Sequence, residues 1–324
     1  MRSISKSVVS SAFVVASFLT VSAASASITM NTGAGDASLL ITVDGYGAFG
    51  SVVDDFTADA IYDPVGPTPS ETSVFESGIA IRANQASGTR TWYSTSSIGM
   101  GQLPSIPVNG NSTSATSSFT TGLGLSAALG QTVSKVFDEN NAWVGSKLTQ
   151  TYTLTNTTAS AMNFEVVRYM DADLIYSGTG LSDDGGGYLL VGNTEYLFET
   201  ETATGASASN TFVGITSTGG TINANNRWMI DNYSDLRTLV GNGGALNQTI
   251  QGDGPDADLF VDAGPGYDVT LAMRNLYSAG AGQTVTYVTT TTWGSLAPEN
   301  IPEPTTLAVL AGAAGLMLRR RSAR

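Results

Sequence analysis

From Trp143 to Thr155 two kinds of side chain alternate. Leu148, Gln150, Tyr152 and Leu154 fall on one side, and Thr149, Thr151, Thr153 and Thr155 on the other. Successive residues of an extended chain point to opposite faces, so this period of two predicts a strand with one face toward a core. Gln283 to Trp293 repeats the pattern, with Val285, Tyr287, Thr289, Thr291 and Trp293 on one side. Further runs rich in β-branched and aromatic residues, bounded by Gly, Asn, Asp or Pro, predict strands at Ser38–Val43, Tyr46–Val53, Ser73–Arg82, Thr89–Ser94, Ala115–Leu125 and Val133–Phe137. The same signal marks Met162–Met170, returning after a turn at Asn156–Ser160, then Gly187–Val191, Glu195–Thr200, Thr211–Thr216, Leu259–Val261 and Asp268–Tyr277. One short helix is expected, near Ser234–Val240. Around a dozen strands with no helices between them predict an all-β fold, a large antiparallel β-sandwich. No fixed-period repeat is visible, which disfavours propellers and solenoids.

The hydropathy changes character at both ends. Arg2 and Lys6 precede an apolar stretch from Val8 to Val21, and Ala24-Ser25-Ala26 has the small-x-small form of a signal peptidase site. This predicts a signal peptide over residues 1–26, cut after Ala26, and export of the remainder. At the other end Pro302-Glu303-Pro304 is followed by an uncharged run from Leu307 to Leu318 and then by Arg319, Arg320 and Arg321. Twelve helical residues span roughly 18 Å, short against a hydrocarbon core of about 30 Å. The expectation is a single short transmembrane helix that anchors only transiently, with the arginines held on the cytoplasmic side. The organisation is therefore 1–26 signal peptide, 27–298 extracellular domain and 299–324 tail.

The order Pro-Glu-Pro, short apolar helix, arginine cluster resembles the PEP-CTERM sorting signal of Gram-negative bacteria, also labelled an ice-binding protein C-terminal domain. The resemblance covers about the last 23 residues and rests on Pro302, Glu303, Pro304, Arg319, Arg320 and Arg321. It implies processing by an exosortase, a membrane protease that cuts at or near the Pro-Glu-Pro element. It also implies release or attachment at the cell surface, in association with extracellular polysaccharide and biofilm. The stretch from Tyr152 to Leu174 is similar to a pattern in the extracellular domains of such proteins, and implies no more than a shared β-sandwich.

Charge narrows the partners. The chain carries 14 Lys plus Arg and 27 Asp plus Glu, a net −13. Removing the two basic residues of the signal and the four of the tail, and Glu303, leaves 8 − 26 = −18 on residues 27–301. Such a surface repels phosphate backbones and suits cations, so no nucleic-acid partner is expected. Cysteine and histidine are both absent. Disulfides, histidine-based triads and histidine zinc sites are thereby excluded, and no enzyme is expected.

Hard carboxylate oxygens are the remaining chemistry. Asp253, Asp256, Asp258 and Asp262 crowd into ten positions without the EF-hand spacing, and are either a Ca²⁺ site or a solvated acidic loop. Asp171 and Asp173, at the end of a strand, could ligate Ca²⁺, with neutralisation by Arg168 or turn amides as the alternative. Otherwise no cofactor is expected. The leading reading is an exported cell-surface or matrix protein with a structural or adhesive role. A carbohydrate-binding module, stacking sugar on an exposed aromatic such as Trp143, is one alternative. A carboxylate-based glycoside hydrolase is the other.

Overall fold

The computed structural model describes residues 25–53, 60–83, 88–98, 101–176, 184–201, 211–221, 225–250 and 267–295. These residues are mostly β, and their strands form three antiparallel sheets. A small sheet takes β1 (Ser27–Asn31), β2 (Leu39–Asp44), β3 (Ile61–Tyr62) and β4 (Glu71–Thr72) in sequence order. A five-stranded sheet runs β15-β16-β11-β5-β6, built from β5 (Val74–Ala83), β6 (Thr91–Tyr93), β11 (Met162–Ala172), β15 (Trp228–Asn232) and β16 (Val269–Ala279). An eight-stranded sheet runs β12-β13-β14-β17-β10-β9-β8-β7. Its members are β7 (Asn109–Gly110), β8 (Ser114–Thr120), β9 (Leu125–Phe137), β10 (Trp143–Asn156), β12 (Gly185–Val191), β13 (Thr194–Thr200), β14 (Phe212–Thr218) and β17 (Thr284–Gly294). One helix, α1 (Tyr233–Gly241), is capped at its N-terminus by the Asn232 side chain, which accepts from the Asp235 amide.

The two long alternating segments are neighbours. β10 and β17 pair in continuous register from Gly145↔Gly294 to Thr155↔Thr284. Their apolar faces, Leu148, Tyr152 and Leu154 with Tyr287 and Trp293, are buried. They share core clusters with Ile79 and Ile81 of β5, Phe164, Val166 and Met170 of β11, and Leu271 of β16. The larger sheets thus bury their apolar faces on each other. The opposite face of the five-stranded sheet is covered by α1, where Leu236 and Val240 meet Ala80, Val167, Tyr169 and Ala272.

Several elements depart from expectation. Tyr46–Val53 is not a strand but a series of turns, with a single bridge from Phe49 to Ser77. Gly47 and Gly50 sit at φ +90° and +120°, which breaks the extended run. A Cβ on Gly47 would lie 2.2 Å from the Tyr152 hydroxyl, so the site admits only glycine. Val133–Phe137 is the end of the longer β9, whose Leu125, Ala127, Leu129, Gln131 and Val133 alternate in burial behind a dilute Ala, Gly and Gln signal. The strand after the Asn156–Ser160 turn does not return to β10. It crosses to the other sheet and pairs with β5 and β16. The expected strand at Leu259–Val261 lies outside the described residues.

Asp44 organises the β2 end. Its Oδ1 accepts from the Tyr46 and Ala48 amides, both at 2.8 Å, and its Oδ2 from the Thr95 amide at 2.8 Å. The carboxyl is fully buried, and burial outweighs these bonds, pushing its pKa up to about 6. A raised carboxyl contributes stability that is complete below the unfolded-state pKa near 4 and is lost as pH rises through about 6. Relative to Asp44→Asn, which cannot titrate, the wild type is expected to lose about 3 kcal/mol between pH 4 and pH 7. Urea unfolding of both proteins across that range checks it, and a pH-independent difference would refute it.

Candidate metal centre

Beneath α1 the outer face of the five-stranded sheet carries charges of opposite sign at its two ends. At one end Glu165, paired across strands with Arg82, is met by three guanidinium groups. Arg82 and Arg90 lie 2.8 and 2.7 Å from Oε1, and Arg274 lies 3.4 Å from Oε2. Arg90 also donates to the Val240 and Gly244 carbonyls, placing a cation at the negative C-terminal end of α1.

At the other end, among the described residues, acids collect without matching cations. Asp171 closes β11, Asp173 follows it, and Asp268 directly precedes β16. One oxygen from each can be chosen so that all three lie within 4.8 Å of one another. Asp171 is 1% exposed and the other two are half-buried. The Oδ1 atoms of Asp171 and Asp268 are buried and have no hydrogen-bond partner. Two hydrogen bonds hold the backbone: the Asp173 amide donates to the Ser73 carbonyl, and the Tyr233 amide at the start of α1 donates to the Asp268 carbonyl.

Each of the three carboxyls resists ionisation. Burial, then the carboxylates of Asp268, Asp173 and Glu76, hold the Asp171 carboxyl well above the ordinary range, against the opposing pull of Arg237. Burial and Asp268 push Asp173 up to about 7. Burial raises Asp268, partly offset by its hydrogen bond with Asp171. Glu199 of β13 is fully buried and raised by burial first, then by Asp184, Asp171 and Asp173. Arg237 is committed elsewhere, with Nε 2.7 Å from Oε2 of Glu76 and a second nitrogen on the Ile98 carbonyl.

Arg168 does not neutralise Asp171 or Asp173, which removes one of the alternatives that the sequence left open. It points into the core between the sheets, donating to the Gly78 and Tyr169 carbonyls and to the Ser77 and Thr291 hydroxyls. Residues 168 and 171 differ by an odd number, so they face opposite sides of β11. The acidic run Asp253, Asp256, Asp258 and Asp262 lies outside the described residues, as do Ala24, Pro302, Glu303, Pro304 and Arg319 to Arg321. Ala26 is described, just ahead of β1.

The tryptophans are engaged. Trp293 is fully buried, and Trp228 stacks on Tyr188 with centroids 4.6 Å apart. Trp92 meets Tyr169 edge-on. Trp143 is half-buried, with the Lys135 ammonium 3.5 Å above its ring and its indole N–H on the Gly145 carbonyl. A ring face already holding a cation is not free to stack on sugar.

A different surface lies on the outer side of the eight-stranded sheet. There Thr149, Thr151, Thr153 and Thr155 stand beside Thr132, Gly130, Ala128 and Ser126 of β9, and beside Thr290, Val288, Thr286 and Thr284 of β17. The next row, on β8, is Ser114, Thr116, Ser118 and Thr120. No charged side chain interrupts these rows, and Lys147 stands at one end. A shallow concavity of about 410 Å³ opens among Ser118, Thr120, Ser126, Thr153 and Thr155. Compared with protein-family models and with curated proteins, the chain matches none.

Proposed function

We propose that the chain is an exported protein of the cell surface or extracellular matrix, with a structural or adhesive role in contact with extracellular polysaccharide. In this reading a signal peptide ends at Ala26, a β-sandwich body follows, and the tail around Pro302–Pro304 is cut by an exosortase. The tail's apolar helix and arginines hold the chain in the inner membrane until then. The observation that carries the adhesive part is the uncharged Ser/Thr face of the eight-stranded sheet. On a body of net charge −18 it is an extended uncharged patch where a neutral polysaccharide can approach without repulsion. Its hydroxyls both donate and accept, and strands about 4.8 Å apart repeat them at regular intervals. Thr155 and Thr284 already bond to each other across strands at 2.8 Å.

The reading is tested in two steps. Cell fractionation should find the full chain processed and outside the cytoplasm, and truncation before Ile301 should release it to the medium. Uncut chain in the cytosol, or membrane retention of the truncated form, counts against it. The released body should then bind polysaccharide from its own host on an array. The pair Thr116→Lys and Thr153→Lys should weaken binding to a neutral glycan about tenfold, roughly 1.4 kcal/mol. Undiminished binding by the double variant would remove this face from the account.

A further inference from the structure

We propose that Asp171, Asp173 and Asp268 bind a divalent cation of the calcium class, which ties the end of β11 to the start of β16 beside the first turn of α1. The site is defined by the positions of its carboxylates and is independent of the Ser/Thr face of the eight-stranded sheet. Three carboxylates from two strand ends bring oxygens within 4.8 Å of one another. That is the span of two oxygens on opposite sides of one ion at about 2.4 Å, inside the usual calcium range. Oxygen-only donors favour a hard cation, and the chain contains neither histidine nor cysteine to recruit zinc.

The second observation is the state of the donors. Asp171 is 1% exposed, and its Oδ1 is buried without a hydrogen-bond partner, as is Oδ1 of Asp268. A buried carboxyl oxygen left without a hydrogen-bond partner costs free energy comparable to a lost hydrogen bond. Among the described residues, nearby positive charge offsets that cost only in part. Arg237 is held by Glu76, and Arg168 lies on the far side of the strand. A cation between the three acids removes the repulsion and satisfies both free oxygens at once.

The place is structurally meaningful. Asp171 pairs with Glu76 of β5 and with Thr270 of β16, so it sits where three strands meet. The Asp268 carbonyl receives the Tyr233 amide, which links the site to α1. An ion here would fix the seam between strands separated by about a hundred residues of chain. Calcium should therefore stabilise the folded state directly.

The test uses the purified full-length chain, stripped with chelator and titrated with CaCl₂. Calcium a hundredfold above its Kd should raise the folded-to-unfolded ratio about a hundredfold and the melting temperature by roughly 5 °C. Magnesium, which keeps its water more tightly, should give a smaller rise. Asp268→Asn and Asp173→Asn should each abolish the calcium response. In chelator, their stability should equal or exceed that of the wild type, because a like charge has been removed. The combined Asp253→Asn, Asp256→Asn and Asp258→Asn variant should keep the full response. No shift of the wild type in saturating calcium overturns the proposal. So does a calcium response that survives in both Asp268→Asn and Asp173→Asn. Should one of these variants fail to fold, terbium luminescence on the wild type, competed away by calcium, reads the site directly. Absence of sensitised emission then overturns it.

Discussion

Glu165→Gln is expected to lower the stability of the fold by about 3–5 kcal/mol. The reason is the three arginines around one carboxylate. Arg90 is 3% exposed, Arg82 is 9% exposed, and Glu165 itself is fully buried. Two of the guanidinium groups touch a single oxygen at 2.7 and 2.8 Å. Glutamine keeps the shape and an acceptor but removes the only negative charge of the cluster. Three cations would then repel one another in a site that water does not reach. Removing one partner of a buried ion pair typically costs this much, most of it from stranding the charge left behind. The loss should spread beyond the pair. Arg90 holds the Val240 and Gly244 carbonyls, and Arg82 holds those of Gly88 and Gly243. Loosening either frees the C-terminal end of α1. Urea unfolding of the variant measures the loss, and hydrogen exchange of the α1 amides should show it locally. A loss under 1 kcal/mol, with α1 unchanged, would mean that the cluster is less dry than its geometry says.

Trp293→Ala should cost about 3–5 kcal/mol, the usual range for emptying a fully buried tryptophan site. Trp293 lies on the inner face of β17, 0% exposed, with its indole N–H on the Ser73 hydroxyl at 2.9 Å. Its ring packs near Phe49, 6.0 Å between centroids, and Phe49 in turn lies against the Arg168 guanidinium. Truncation leaves a void between the sheets and removes one of the hydrogen bonds of the Ser73 hydroxyl, which still donates to the Ala60 carbonyl. It also loosens the packing that holds a buried arginine among neutral acceptors. Trp143→Ala is the control, since that ring sits half-exposed at a strand start with Lys135 on its face. It should cost under about 1 kcal/mol. Equal losses at the two positions would contradict the placement of the core.

Much of the β architecture was written in alternation. The threonine and aromatic sides of Trp143–Thr155 and Gln283–Trp293 are the outer and inner faces of β10 and β17. The short helix expected near Ser234–Val240 is α1, the one helix among the described residues. Shorter elements escaped. β1 and β15 are five residues each, and β3, β4 and β7 are two, too short for a period to show. Tyr46–Val53 read as a strand because its apolar content outweighed two glycines, whereas glycine at positive φ was the stronger constraint.

The acidic centre was half legible. Asp171 and Asp173 stood out at a strand end, but Arg168 was offered as their neutraliser although its parity along β11 puts it on the other side. Asp268 gave no such signal, because nothing local says that a residue 95 positions later closes the same site. The three arginines of Glu165 were hidden for the same reason: Arg82, Arg90 and Arg274 come from three separate parts of the chain.

Local chemistry was enough to settle the strand-rich class, the buried and solvent faces of the long strands, the helix and the acidic excess, because each depends on a period or a composition that neighbours in the chain already carry. Strand order, the crossing of β11 to the opposite sheet, the burial of Arg168, and the meeting of Asp171, Asp173 and Asp268 depended on pairing between distant segments. Such pairing is chosen by burying whole faces together, and no stretch of the chain read alone contains that choice.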